Sequence, residues 1–341
     1  CAAMNSPMLT PLRWWRIMAA YGALVVIVLC VAPWWGATRL SWGEVWAAWR
    51  GGGDVSVWLI FIDQRVPRVL LGLVVGMALG MAGAAFQVIL RNPLATPYTL
   101  GVASAGALGA AVVLAIPGLA GRLGPLGATQ GSALAGSVLA ALGIFMLARR
   151  LRGVSTNVLL LSGVALNLFC SSALLLVRFV ADPQHLVAVD RWLMGGLITV
   201  GYSDVAGMLP LIIAGAVVVI SQAHGLNQLS FGEEVAGGRG VSVRRVLTMT
   251  FFGSVLMTAG AVAVAGPIGF VGLIVPHTVR LMSGPDQRVV LPASALLGGA
   301  VLALCDVGAR TWLAPTEIPV GIITACVGAP VFLFLLLRRC T

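Results

Sequence analysis

Residues 69–90 read VLLGLVVGMALGMAGAAFQVIL, 22 residues without a charge. About 20 mostly apolar residues let a helix cross the hydrocarbon core, because only inside a helix does each backbone group find a partner without water. Gly72, Gly76, Gly80 and Gly83 recur at four-, four- and three-residue spacing, a small-residue stripe that lets neighbouring helices approach closely. The stretch therefore predicts a membrane-spanning helix packed among others. Nine further stretches carry the same apolar pattern: 17–31, 98–116, 131–147, 158–180, 205–220, 246–265, 269–282, 289–307 and 319–337. The eighth in order, 269–282, is short and begins after Gly266-Pro267, so it reads as tilted, broken or packed away from lipid.

With 341 residues, 59% hydrophobic, 9% charged and a mean hydropathy of +1.01, the composition lies outside the soluble range. The expected fold is an all-α, polytopic membrane protein of about ten transmembrane helices. Residues 1–341 form a single domain, with a cytoplasmic tail over 1–16 and a cytoplasmic loop over 222–245. The first stretch lacks a small-residue cleavage site and is followed by Trp34, Trp35 and further spans, so it reads as a span and not as a cleavable signal.

All 21 basic residues are arginine. Placing the amino terminus inside puts Arg13, Arg16, Arg91, Arg149, Arg150, Arg152, Arg239, Arg244, Arg245, Arg280, Arg288, Arg338 and Arg339 on the cytoplasmic side. Eight are left outside, which favours both termini inside. The net charge of +10 follows from this topology, and no basic stripe with interleaved aromatics suggests nucleic acid. Without lysine the chain cannot form a Walker-type phosphate loop, so any ATP that drives it is hydrolysed by another polypeptide. Cys1, Cys30, Cys170, Cys305, Cys326 and Cys340 are scattered singly, and His185, His224 and His277 have no metal-ligand spacing, so no metal site is expected. Cys1 precedes Met4, and Cys1-Ala2-Ala3 read as an upstream remnant.

The polar interruption from Ser221 to Val241 places Leu229, Phe231 and Val235 beside Glu233, Glu234 and Arg239. This pattern suits a short surface helix offered to a partner, or an ordinary solvated loop. A weaker internal parallel relates Ala82-Gly83, Phe86 and Pro93 to Ala265-Gly266, Phe270 and Pro276, as inverted repeats would.

Several segments resemble the FecCD family of permeases, in order: Arg65-Val66-Pro67-Arg68; Arg91-Asn92-Pro93-Leu94-Ala95 leading to Leu100-Gly101-Val102; Gly232-Glu233-Glu234-Val235-Ala236; 266–277, GPIGFVGLIVPH; and Glu317-Ile318-Pro319-Val320-Gly321. The resemblance runs from Arg65 onward. It implies a ten-helix subunit of the bacterial inner membrane that pairs with a second copy around a translocation path. Two ATP-binding-cassette ATPase subunits lie below and a periplasmic or lipid-anchored substrate-binding protein above. The cargo class is an iron chelate, either ferric siderophore or haem, with cobalamin as the alternative. ATP is used by the partner, and no covalently bound cofactor is implied.

By the same match, Arg65, Arg68 and Arg310 resemble the arginines that dock the binding protein. Read without the resemblance, they anchor helix ends at the headgroups, and Arg310 can pair with Asp306 one turn earlier. Asn92, Leu94, Thr156 and Asn157 resemble the cytoplasmic gate, and Asn92-Pro93 also reads as a helix stop. Phe231, Gly232, Glu233, Glu234, Val235, Arg239 and Gly240 would couple to the ATPase. Arg178 and Arg191 are candidate contacts for an anionic cargo, or interfacial anchors. An ion-coupled secondary transporter needs ionisable groups within its spans, for which Asp306 is the clear acidic candidate. A membrane enzyme lacks any convergent nucleophile, base or metal cluster in this sequence.

Overall fold

The computed structural model describes residues 10–36, 38, 40–116, 122–123, 126–151 and 155–340. Cys1, the first nine residues and Arg152 lie outside them. The described residues form helices joined by short turns, plus one antiparallel pair of two-residue strands, β1 (Arg122–Leu123) with β2 (Leu126–Gly127).

Ten helices account for the ten expected stretches: α1 (Pro11–Val31), α4 (Val66–Ile89), α5 (Val102–Ala115), α6 (Ala128–Leu151), α7 (Thr156–Val180), α9 (Ser203–Ser221), α12 (Val243–Ala265), α13 (Val271–Ser283), α14 (Gln287–Thr311) and α15 (Val320–Cys340). Among the described residues seven spans are long and apolar enough to cross a membrane, α5 and α15 contribute shorter apolar segments, and α13 has 13 residues. The remaining helices are short: α2 (Trp42–Trp49), α3 (Val55–Leu59), α8 (Pro183–Leu193), α10 (Ala223–Leu229) and α11 (Glu233–Gly238). The start of α1 lies beside the start of α14, where Trp14 Nε1 donates to the Arg288 carbonyl at 3.1 Å. The ends of α4 and α13 and the start of α7 meet at the same end of the bundle, the loop end hereafter. Residues 32–36, the π-helical segment Ile60–Arg65 and the turns over 193–202 and 312–319 lie at the opposite end.

Several boundaries depart from the sequence reading. The Thr10 side chain accepts from Arg13 N at 3.3 Å and starts α1 at Pro11, so the last six residues of the expected tail are helical. The second span begins at Val55: α3 runs through a π-helical segment, Ile60–Arg65, directly into α4. Within 98–116, helix begins only at Val102, after left-handed Gly101 (φ 72°). Helices α2 and α8 were not foreseen. Short polar-bounded segments give little periodicity, and a Ser41–Glu44 capping box is what fixes the first turn of α2.

Helix α4 is the pillar of the bundle, packed on α14, α12, α13 and α9. A Cβ on Gly76 would strike the Gly298 carbonyl, one on Gly80 the Ser294 carbonyl, and one on Gly83 the Gly272 carbonyl. The glycine stripe therefore serves backbone-to-backbone approach, as its spacing predicts. Below it Phe86 and Phe251 pack edge to face at 6.2 Å, both fully buried. The chain breaks over 266–270, as the Gly-Pro pair predicts, with Phe270 at φ 67° ahead of α13. The internal parallel differs locally: Ala82–Phe86 is uninterrupted helix, whereas Ala265–Phe270 is a helix end and a break.

Candidate functional site

Gly232, at φ 123° and ψ 154°, occupies a backbone region open essentially to glycine alone, and this lets α11 turn back under the bundle after α10. The first helix of this pair is anchored: Asn227 Nδ2 donates to Asp286 Oδ1 and Gln287 N donates to Asn227 Oδ1, both at 2.7 Å. Burial would raise the Asp286 pKa, but hydrogen bonds from Arg288 and Asn227 outweigh it and hold the carboxyl below its usual value. Arg239 donates to Gln228 Oε1 at 2.7 Å and stacks its guanidinium 5.5 Å from the Phe231 ring centre. Phe231 and Val235 remain 65% and 43% exposed and face outward, but Leu229, the third residue of the expected ridge, is fully buried in the core because it lies on the inner face of α10.

The two glutamates of the pair differ. Glu234 is exposed, while Glu233 is half-buried and reaches α7, where Thr156 N donates to its Oε1 at 3.2 Å and Thr156 Oγ1 lies 2.7 Å from the same oxygen. Thr156 Oγ1 also lies 2.8 Å from the Ile89 carbonyl at the end of α4. Three residues further on, Asn92 Oδ1 accepts from Leu94 N at 2.9 Å, closing the turn that stops α4 and leaving Leu94 49% exposed. Of the expected gate residues, Thr156 lies where the end of α4, the start of α7 and α11 meet, Asn92 and Leu94 form the turn that stops α4, and Asn157 is exposed.

At the opposite end the three arginines expected to dock a partner are engaged within the chain. Buried Arg65 donates to the carbonyls of Pro33 and Trp34 at 3.1 and 3.2 Å, and to Thr38 through both its carbonyl and its hydroxyl. Arg68 clasps Asp306 at 3.0 Å and Glu317 at 2.9 Å. Arg310, also buried, donates to the Ala32 carbonyl at 2.9 Å and pairs with Asp306 at 3.4 Å, the i,i+4 alternative that the sequence offers. Two of the three arginines, Arg68 and Arg310, pair with carboxylates, and Glu317, 39% exposed, is the most accessible member of the Arg68 pairs. Asp306 is 1% exposed and held between Arg68 and Arg310, so it is not a free acid in a span.

Arg178 and Arg191 are not brought together. Arg178, near the end of α7, pairs with Asp190 of α8 at 3.0 Å, whereas Arg191 lines a cleft with Arg68, Leu197 and Glu317. Among the described residues no cluster of His, Cys, Asp or Glu could hold a metal ion. Glu317, Asp190 and Asp286 complete these arrangements without having been singled out as site residues. Glu317 stands inside the quoted Glu-Ile-Pro-Val-Gly segment, but Asp190 has no sequence signal beyond its place on the element after Arg178.

The FecCD transport family matches residues 24–338. The hemin transport system permease protein HmuU of Yersinia pestis is 36% identical over 95% of this chain and 96% of its own length. The cobalamin import system permease protein BtuC of Halobacterium salinarum is 42% identical over 81% of this chain and 72% of its own length. A solved structure described as an inward-facing conformation of an ABC transporter of proposed metal-chelate type superposes with a TM-score of 0.82 at 28% identity, covering 95% of this chain and 99% of that one. The match spans the glycine-striped pillar, the turn at Asn92 and the loop that carries Glu233, and the chain belongs to the FecCD transport family.

Proposed function

We propose that this chain is the permease subunit of an ATP-driven importer of the bacterial inner membrane, that two copies enclose the path, and that both termini are cytoplasmic. The observation that carries this reading is one stripe of α7. Asn157, Leu161, Val164, Leu168, Ser171, Ser172 and Leu175 follow helical spacing, and all are exposed in the single chain. A lipid-facing stripe has no use for an asparagine and two serines, whereas a wet path between two subunits does. Short polar and apolar side chains give walls with few strong ligands, which suits a bulky cargo that must enter and leave.

The loop over 222–245 is the surface for an ATPase subunit, through the Phe231, Val235 and Arg239 ridge, with Gly232 and Gly240 at its turns. ATP hydrolysis belongs to that partner, since a chain without lysine has no Walker loop. A binding protein meets the opposite end, where charge complementarity sets register and encounter rate more than affinity. Arg65, Arg68 and Arg310 fix the shape of that surface from within. The cargo is an iron chelate, ferric siderophore or haem; the cobalamin relative keeps a corrinoid as the second reading. Ion-coupled transport is opposed by the ion-paired state of Asp306.

The test is uptake into proteoliposomes holding this chain with its ATPase and binding protein, using a ferric hydroxamate, haemin and cyanocobalamin as probes. Uptake of one probe that requires both ATP and the binding protein is expected. Uptake driven by an ion gradient without the ATPase would overturn the reading.

A further inference from the structure

We propose that Glu233 is a positioning residue that ties the coupling helices to the gate by capping α7 from outside its own chain segment. The inference rests on the reading above that the loop over 222–245 meets an ATPase. The first amide groups of a helix need acceptors, and the residue before the helix commonly supplies one. Here Ser155 precedes α7 and makes no side-chain cap. Glu233 Oε1 takes that place, accepting Thr156 N at 3.2 Å, and a carboxylate at a helix amino end also meets the positive end of the helix dipole.

The Thr156 hydroxyl has one proton and two acceptors. Its oxygen stands 2.7 Å from Glu233 Oε1 and 2.8 Å from the Ile89 carbonyl, so donation to the coupling helix competes with donation to the end of α4. The residue is buried, and water does not readily take over either role. Moving α11 therefore leaves α7 two options: its amino end follows Glu233, or it loses its cap while the hydroxyl turns to Ile89. Asn157, the first residue of the exposed stripe, comes next and moves with that end of the helix. Glu234 faces outward and cannot substitute.

The experiment uses the whole complex in lipid nanodiscs, with the chain's cysteines replaced and Asn157→Cys as reporter. The rate of maleimide labelling is read with and without ATP. With Glu233 present, ATP changes the rate. Glu233→Ala is expected to shrink that ATP-dependent ratio about fivefold, the size of one lost helix cap. Glu233→Gln, which keeps an acceptor oxygen, restores most of it. Thr156→Val, which keeps the backbone amide and loses the hydroxyl, gives a smaller defect in the same direction, Thr156→Ser gives none, and Glu233→Ala with Thr156→Val together are no worse than Glu233→Ala alone. Equal behaviour of the Ala and Gln variants, or additive defects in the double variant, would overturn the proposal. If Glu233→Ala prevents assembly, the Val and Ser pair at Thr156 decides alone. A parent complex that hydrolyses ATP with no change in labelling would instead count against the importer reading.

Discussion

Helices α4 and α7 have 24 and 25 residues and nearly the same hydropathy, yet 83% of the apolar window of the span holding α4 is buried against 17% of that of α7. Length and hydropathy say that a segment crosses; they do not say what it faces. The difference lies in small residues. Helix α4 has Gly72, Gly76, Gly80 and Gly83 against the backbones of α13 and α14, while α7 has Gly163 alone and turns long apolar side chains such as Leu168, 63% exposed, away from its own chain. One helix is a fixed pillar. The other offers a face that nothing among the described residues covers.

Substitutions can break this contrast. The largest effect is expected from Asp306→Ala, on α14 beside the Arg68 end of the pillar, which strands Arg68 and Arg310. Breaking a buried ion pair costs about 3–5 kcal/mol, so a large drop in the thermal midpoint of the detergent-purified protein is expected, and an unchanged midpoint would show that the network is not structural. Gly80→Leu should follow at about 3 kcal/mol, because the side chain has nowhere to go but into the Ser294 carbonyl; size-exclusion profiles should show loss of monodisperse protein. Arg178→Ala and Asp190→Ala should each cost less than about 1 kcal/mol, since both partners are more than a third exposed. Leu168→Ala should be smallest, within about 0.5 kcal/mol in stability, while changing uptake if its face lines the path.

Much of this architecture could be read from the chain itself. All ten apolar stretches became helices, and the break at Gly266-Pro267 lies where it was expected. What was not legible has physical causes. Helix ends shifted because caps decide them locally: Thr10 pulled α1 forward to Pro11, and α3 entered α4 through a π turn that no hydropathy pattern marks. Arg65, Arg68 and Arg310 read as docking groups through the family resemblance; that Arg65 and Arg310 also donate to the carbonyls of Ala32, Pro33 and Trp34 was not legible, because such acceptors belong to every residue and carry no sequence signal. Glu233 and Glu234 read alike for the same reason: only the fold decides that one faces Thr156 and the other faces outward.

The most direct test of the pillar and path assignment is the ATP-dependent change in cysteine labelling at two matched positions in the assembled complex, Leu168→Cys on α7 and Met77→Cys on α4. The account predicts that binding and hydrolysis of ATP change the rate at residue 168 and leave that at residue 77 unaltered. Equal changes at both positions, or a change at residue 77 alone, would contradict it.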